Sequence, residues 1–333
     1  MDKLLIAFLH RSILPVLIVF LSACGGGGSN SSQNSNPDSD AGNTSETNRG
    51  LTGKIYFGGT GDFMELDIST GKKRVFSSEE SELIAISYSG SEYALRRDSY
   101  GGYTDYVTIK NFQGEITNET ISSGSGSFDS EPLVSPDDKL VAVLLRAAGS
   151  YTLAIYNRQG EMVTDYSSSQ TELDSFTWLP NGRLVIATGN TIFSVDPTTT
   201  NQPKVIAKLA HNPHFISASR NGQQLTFTLA TESEQNVYVM NIDGSGLRRL
   251  TKSDKPEAVP VWSPDGKHIA FLEDAYTRYD SDYGKCAYIY IVNSDLTEVD
   301  ISSEPNTNKA FPLVTLSNNL RTRVCVFAGM DWR

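Results

Sequence analysis

"VPVWSPDGKHIAFLED", residues 259–274, reads as strand, tight turn and strand, with Trp262 immediately ahead of the turn. Laid along the chain, its central part "VWSPDGKHIAF" (261–271) aligns without gaps to four more stretches. These are "AISYSGSEYAL" (85–95), "LVSPDDKLVAV" (133–143), "TWLPNGRLVIA" (177–187) and "SASRNGQQLTF" (217–227). Each has an apolar or small residue, a polar turn centred on Gly or Asp, and then an alternating strand. The positions matching Ser263 are 87, 135, 179 and 219, giving spacings of 48, 44, 40 and 44. Strand-rich units at that period predict the blades of a β-propeller, whose apolar faces are buried only by stacking around a ring.

The remainder of each unit is as regular. "NVYVMNIDGSGLRRLT" (236–251) is a strand, an Asp-Gly turn and a fourth strand. Blade one carries "YVTIKNFQGEIT" (106–117), blade two "LAIYNRQGEMVT" (153–164) and blade five "AYIYIVNSDLTEVD" (287–300). Trp178 and Trp262 occupy one slot of the repeat, and Trp332, in "GMDWR", occupies it again just before the chain stops. The missing turn partner lies at the other end, where "GKIYF" (53–57) matches "GKHIAF" and is followed by "FMELDIS" and "KRVFSS". The sequence therefore predicts an all-β fold over residues 51–333: a six-bladed propeller of four-stranded antiparallel blades. The ring closes by pairing the C-terminal strand with the N-terminal strands, which leaves no open sheet edge.

"YVMNIDGSGLRRLT…VWSPDGKHIAF" resembles the repeat of TolB-type propellers, found in TolB and in the amino-terminal domains of some prolyl peptidases. The resemblance implies a six-bladed propeller and, by analogy, protein binding in a cell envelope. TolB carries an α/β domain ahead of its propeller, and here a different kind of segment stands in that place.

Residues 1–23 have Lys3 and Arg11, an apolar stretch from Ile13 to Leu21 and small residues before Cys24, the layout of a secretory signal. Leu21-Ser22-Ala23-Cys24 resembles the lipobox of bacterial lipoproteins, which implies cleavage before Cys24 and acylation of that residue. Gly25 follows where an aspartate would favour inner-membrane retention, so the expected location is the outer membrane, facing the periplasm. Residues 24–50 hold no aromatic or large aliphatic side chain and read as a disordered linker reaching roughly 25–30 Å. Cys286 and Cys325 remain in the exported domain, and a disulfide between them is expected.

The formal charge of −11, with no Lys/Arg block, excludes a nucleic-acid binder. No Gly-x-Ser-x-Gly elbow is present and no length remains for an appended hydrolase domain. His211 and His214 flank Pro213 in one loop, whereas His268 reads as a surface residue in a strand. A metal site needs three or four ligands, and no Asp, Glu or Cys neighbours the pair in sequence, so no metal and no cofactor is assigned. Asp274, Asp280 and Asp282 fail the spacing of a calcium loop and read as a solvated acidic loop. The expectation is a non-enzymatic protein.

In such a blade the first-second and third-fourth turns lie on one face of the ring, and the longer second-third and fourth-first loops lie on the other. Two of the longer loops share a composition: "RRDSYGGYTDY" (96–106) in blade one and "EDAYTRYDSDYGKCAY" (273–288) in blade five. Only the composite blade separates them, so ring closure makes them neighbours. They bring Arg96, Arg97, Tyr100, Tyr103 and Tyr106 toward Tyr276, Arg278, Tyr279 and Tyr283. Tyrosine and arginine are enriched at binding hot spots, which points to an envelope protein as partner. The alternative is a polysaccharide, bound or cleaved, since tyrosines also stack on sugars. The oligogalacturonate lyases, propeller enzymes that bind metal through histidines near the pore, would make His211 and His214 the residues to test.

Overall fold

The computed structural model describes residues 51–58, 62–77, 84–98, 104–167, 173–199, 202–231, 234–273, 279–280, 284–285, 287–301, 310–312, 323–324 and 329–333. Cys24, Tyr100, Tyr103, Tyr276, Arg278, Tyr283, Cys286 and Cys325 lie outside the described residues. The described part is all β, built as six antiparallel blades.

The composite blade has the order Lys72–Ser77, Phe63–Asp67, Lys54–Gly58, Met330–Trp332, from rim to axis. Its closing register sets Ile55 opposite Trp332 and Phe57 opposite Met330. Lys54 and Arg333 exchange both backbone hydrogen bonds, at 2.6 and 2.9 Å. The Trp332 indole N–H donates to the Thr52 carbonyl at 3.1 Å. Blade one runs Ile84–Ile86, Glu92–Asp98, Asp105–Asn111, Ile116–Ser122 from axis to rim, and blades three and four follow that plan.

Six hydrophobic clusters fill the six spaces between blades. Strand alternation explains the one-to-one match, because successive side chains point to opposite faces. In His268–Glu273 of blade five, Ala270 and Leu272 face the composite blade with Trp332 and Ile55. Ile269 and Phe271 face blade four with Val237 and Val239. At the composite–blade-one space the filling is aromatic, with Phe76 at 5.0 Å from both Tyr93 and Phe112 and 5.4 Å from Tyr56, all edge-on.

The repeated turn has one mechanism. In four blades the first residue is a buried serine, Ser87, Ser135, Ser219 or Ser263. Its hydroxyl accepts the amide five residues on, from Glu92, Leu140, Gln224 or His268, at 2.9–3.1 Å. The position that needs positive φ is Gly in four blades but Asp138 in blade two, at φ 58°, a conformation that aspartate tolerates better than most residues. Blade three has Leu179 in place of the serine, so no hydroxyl accepts that amide. There the amide of Leu179 bonds Arg183 one residue earlier, and the turn tightens accordingly.

In blades two and four the third-fourth turn hooks the blade onto its predecessor. A Cβ on Gly160 would sit 2.3 Å from the Thr120 carbonyl oxygen, and one on Gly244 2.3 Å from that of Ile206, so only glycine allows the approach. In blade five the equivalent turn is gripped instead by the Arg248 guanidinium, which donates to the Ser294 and Leu296 carbonyls.

Blade five departs from the expected plan. Val299–Asp300 was expected as its fourth strand, but it pairs in parallel with Thr251–Lys252 at the trailing end of blade four. The outer edge of Ala287–Asn293 is covered by Ala310–Pro312 and Arg323–Val324. The reason is non-local: the amides of Val299 and Ile301 find carbonyls at Leu250 and Lys252, 2.9 and 3.0 Å away. Blade two also splits its inner strand into Ser127–Phe128 and Leu133–Val134, both paired to Leu140–Ala147.

Candidate functional site

On the long-loop face, the two strands that carry the blade-one loop are Glu92–Asp98 and Asp105–Asn111. Their register pairs Arg96 with Val107 and Arg97 with Tyr106. Alternation then separates the two arginines. Arg96 lies on the side of Ala94 and Val107, which packs against blade two. Its guanidinium donates to the Phe128 carbonyl at 2.9 Å and stands 3.4 Å from the Asp105 carboxylate. That carboxylate, buried, also accepts the Phe128 amide at 2.7 Å. Arg96 therefore ties blade one to blade two and has little guanidinium left for a partner.

Arg97 and Tyr106 lie on the other side of the blade, with Tyr93 and Leu95, which faces the composite blade. Tyr106 is 38% exposed, and Arg97 is exposed beside the Glu119 carboxylate at 3.2 Å. On blade five the backbone of Tyr279–Asp280 pairs with Gly284–Lys285, so the segment expected to be an acidic loop contains a small two-rung hairpin.

At the root of the blade-five loop, Glu257 and Glu273 are opposed across two strands and both are buried. One Glu257 oxygen accepts the Val237 amide at 3.0 Å and the Thr251 hydroxyl. Its other oxygen is buried without a partner. Burial, reinforced by the Glu273 charge, pushes the Glu257 carboxyl up to about 8, so it is protonated at neutral pH. Glu273 keeps an ion pair with Lys255 at 2.9 Å.

The histidines fall apart as a set. His211 is exposed, and His214 lies in the inner strand of blade four, Pro213–Ala218, with Thr228 donating to its backbone carbonyl. His268 is a correction to the surface reading: it is half-buried, its Nδ1 is buried without a partner, and burial lowers its pKa. Among the described residues no group of three or more His, Cys, Asp or Glu is placed to hold a metal ion. The repeat tryptophans are core: Trp178 donates to Leu133 O of the preceding blade at 2.9 Å, whereas the buried Trp262 indole N–H has no acceptor.

A second group, on the turn face, escaped the sequence reading. The residue after the turn serine, or after Leu179 in blade three, is Pro136, Pro180 or Pro264 in three blades but Tyr88 in blade one and Arg220 in blade four. Those two blades face each other across a six-membered ring. The Tyr88 hydroxyl donates to the Arg220 carbonyl at 2.9 Å, and the Arg220 guanidinium donates to the Tyr88 carbonyl at 2.8 Å. The guanidinium also lies 4.6 Å from the centre of the Tyr88 ring, with that of Arg333 6.0 Å from the same ring. Arg333 donates to Ile86 O at 2.9 Å and pairs with Asp331 at 2.7 Å. The visible signal was a break in the proline pattern at two positions three blades apart.

Comparison with known proteins gives the same architecture. No family model matches the chain. Dipeptidyl-peptidase 5 of Porphyromonas endodontalis is 30% identical over 90 residues, 25% of this chain and 13% of that protein. The Tol-Pal system protein TolB of Anaeromyxobacter dehalogenans is 28% identical over 133 residues, 37% of this chain and 29% of that protein. The match to a TolB homolog of Chlorobium chlorochromatii is 29% over 84 residues, 25% of this chain and 19% of that protein. The matched stretches thus span less than a third of the length of these curated relatives. Among solved structures, TolB from Acinetobacter baumannii superposes with a TM-score of 0.59 at 14% identity, covering 84% of this chain and 66% of that one. The putative TolB from Agrobacterium tumefaciens gives 0.59 at 14%, covering 85% and 99%. The fold is that of a TolB-like six-bladed propeller.

Proposed function

We propose that this chain is a non-enzymatic cell-envelope propeller that binds a protein partner through its long-loop face. In this reading it is anchored by lipid on Cys24 and stands off the outer membrane on the linker 25–50. The observation that carries the reading is the exposed Arg97–Tyr106 rung, on the side of blade one that faces the composite blade. Tyrosine offers large contact area with few rotors and arginine a forked donor, so a rung of this kind is a natural rim for a hot spot. Arg96 belongs to the support of that rung, holding the blade-one strands against blade two. The similarity to TolB proteins favours a partner in the envelope, and Tyr100, Tyr103, Tyr276, Arg278, Tyr279 and Tyr283 are proposed as the rest of the contact surface.

The test is capture of solubilised envelope proteins on residues 51–333, in parallel with the Tyr103→Ala/Tyr279→Ala double variant. All six blades and the spaces between them are built within that segment. A protein retained by the parent and lost by the variant is expected. A partner held equally by both would remove the long-loop face from the account.

A further inference from the structure

The turn-face mouth of the axis holds two guanidinium groups and one carboxylate in a chain whose formal charge is −11. Arg220 and Arg333 lie against the same tyrosine ring, and among the described residues Asp331 is the carboxylate that pairs with them there. Arg333 is deeply placed, with its side chain 22% exposed, and its Nε–H is buried with no acceptor. A buried donor without a partner is disfavoured, and more so when it carries charge. Burial lowers the pKa of Arg333 and the charge of Arg220 lowers it further, while burial raises that of Asp331 against the pull of both arginines. Cross-ring anchoring alone would need one arginine on Tyr88, since Arg220 already exchanges two hydrogen bonds with it. Arg333 holds Ile86 O and Asp331 through its terminal nitrogen, and its Nε–H is left with no acceptor.

We propose that this mouth is a carboxylate-binding site, in which Arg220 and Arg333 clamp one carboxylate on the axis and Tyr88 holds the two forks in position. Forked guanidinium donors match the two oxygens of a carboxylate, and a site with net positive charge sheltered from water strengthens the pairing. The carboxylate belongs either to a small polycarboxylate or to an acidic side chain of a protein segment. The site lies on the opposite face from the proposed protein partner and does not depend on that partner.

The experiment uses the full chain in detergent, with citrate and a tetraglutamate peptide as probes at constant ionic strength set with sodium chloride. Calorimetric titration and thermal melting are read together. Saturable binding of either probe with a rise in Tm is expected; the tighter probe identifies the source of the carboxylate. Arg220→Gln is expected to weaken binding at least tenfold, whereas Lys139→Gln, which removes an exposed cation in the blade-two turn, stays within about twofold. Should Arg220→Gln unfold, Arg220→Lys keeps the charge without the fork and is expected to bind several-fold more weakly. No saturable response to either probe, or affinity unchanged in the folded Arg220 variant, overturns the proposal.

Discussion

Replacing Glu257 by glutamine is expected to change how stability depends on pH, in a direction that the burial of the side chain dictates. The carboxyl is fully buried, and its pKa stands at about 8 against an ordinary 4.5. In the unfolded chain it is ionised above pH 4.5, whereas the folded protein keeps its proton until about pH 8. The folded state thus binds more protons across that window, so stability falls as pH rises through it and levels off above pH 8. Each pH unit is worth about 1.4 kcal/mol, so between pH 5 and pH 8 the parent loses about 3 kcal/mol on account of this group. Glutamine keeps an oxygen for the Val237 amide and the Thr251 hydroxyl but has no proton to release. Its amide N–H groups must occupy the place of the unpartnered oxygen, so at pH 5 the variant is expected to be no more stable than the parent. The assay is guanidinium unfolding of residues 51–333, parent and Glu257→Gln, at pH 5 and pH 8. Every other titrating group cancels in the difference, so the variant is expected to gain about 3 kcal/mol on the parent between the two pH values. A difference independent of pH within about 1 kcal/mol would refute the assignment of a buried, protonated Glu257.

Five further outcomes are expected. Trp332→Ala removes a fully buried side chain from the closing strand, together with its bond to Thr52, so a loss of about 3–5 kcal/mol is predicted in the same unfolding assay. Deleting Asp331–Arg333 is expected to aggregate the domain, and a parent-like melt would contradict ring closure. A disulfide between Cys286 and Cys325 would close a loop of roughly 40 residues. Cys325→Ser is then predicted to lose about 4 kcal/mol under oxidising conditions and nothing with reductant present. Lastly, Arg96→Ala is expected to lower Tm, because it leaves the buried Asp105 carboxylate short of its cation. Tyr106→Ala is expected to leave Tm within about 2 °C while weakening partner capture.

Propeller architecture was legible because each blade repeats one local device. The serine at 87, 135, 219 and 263 folds its turn with contacts inside five residues, so alignment of the sequence with itself exposes every copy. The closing blade was legible for the same reason, since Trp332 and "GKIYF" are two halves of one motif. What the repeat does not encode was harder to see. The parallel pairing of Val299–Asp300 with Thr251–Lys252 depends on which carbonyls an adjacent blade leaves free. Tyr88 and Arg220 are 132 residues apart and meet only when the ring is closed. The separation of Arg96 from Arg97 was within reach, because Tyr93, Leu95 and Arg97 share one phase of the strand, but composition alone grouped the two arginines.

The most direct test of the proposed function is photocrosslinking in intact cells, with a benzophenone amino acid in place of Tyr106 on one face and of Asp265 on the other. Both side chains lie at blade ends, one at the root of the long loops and one in a repeated turn. The account predicts a protein adduct from position 106 and none of the same mass from position 265. An adduct from 265 with none from 106 would move the partner to the turn face and contradict the central claim.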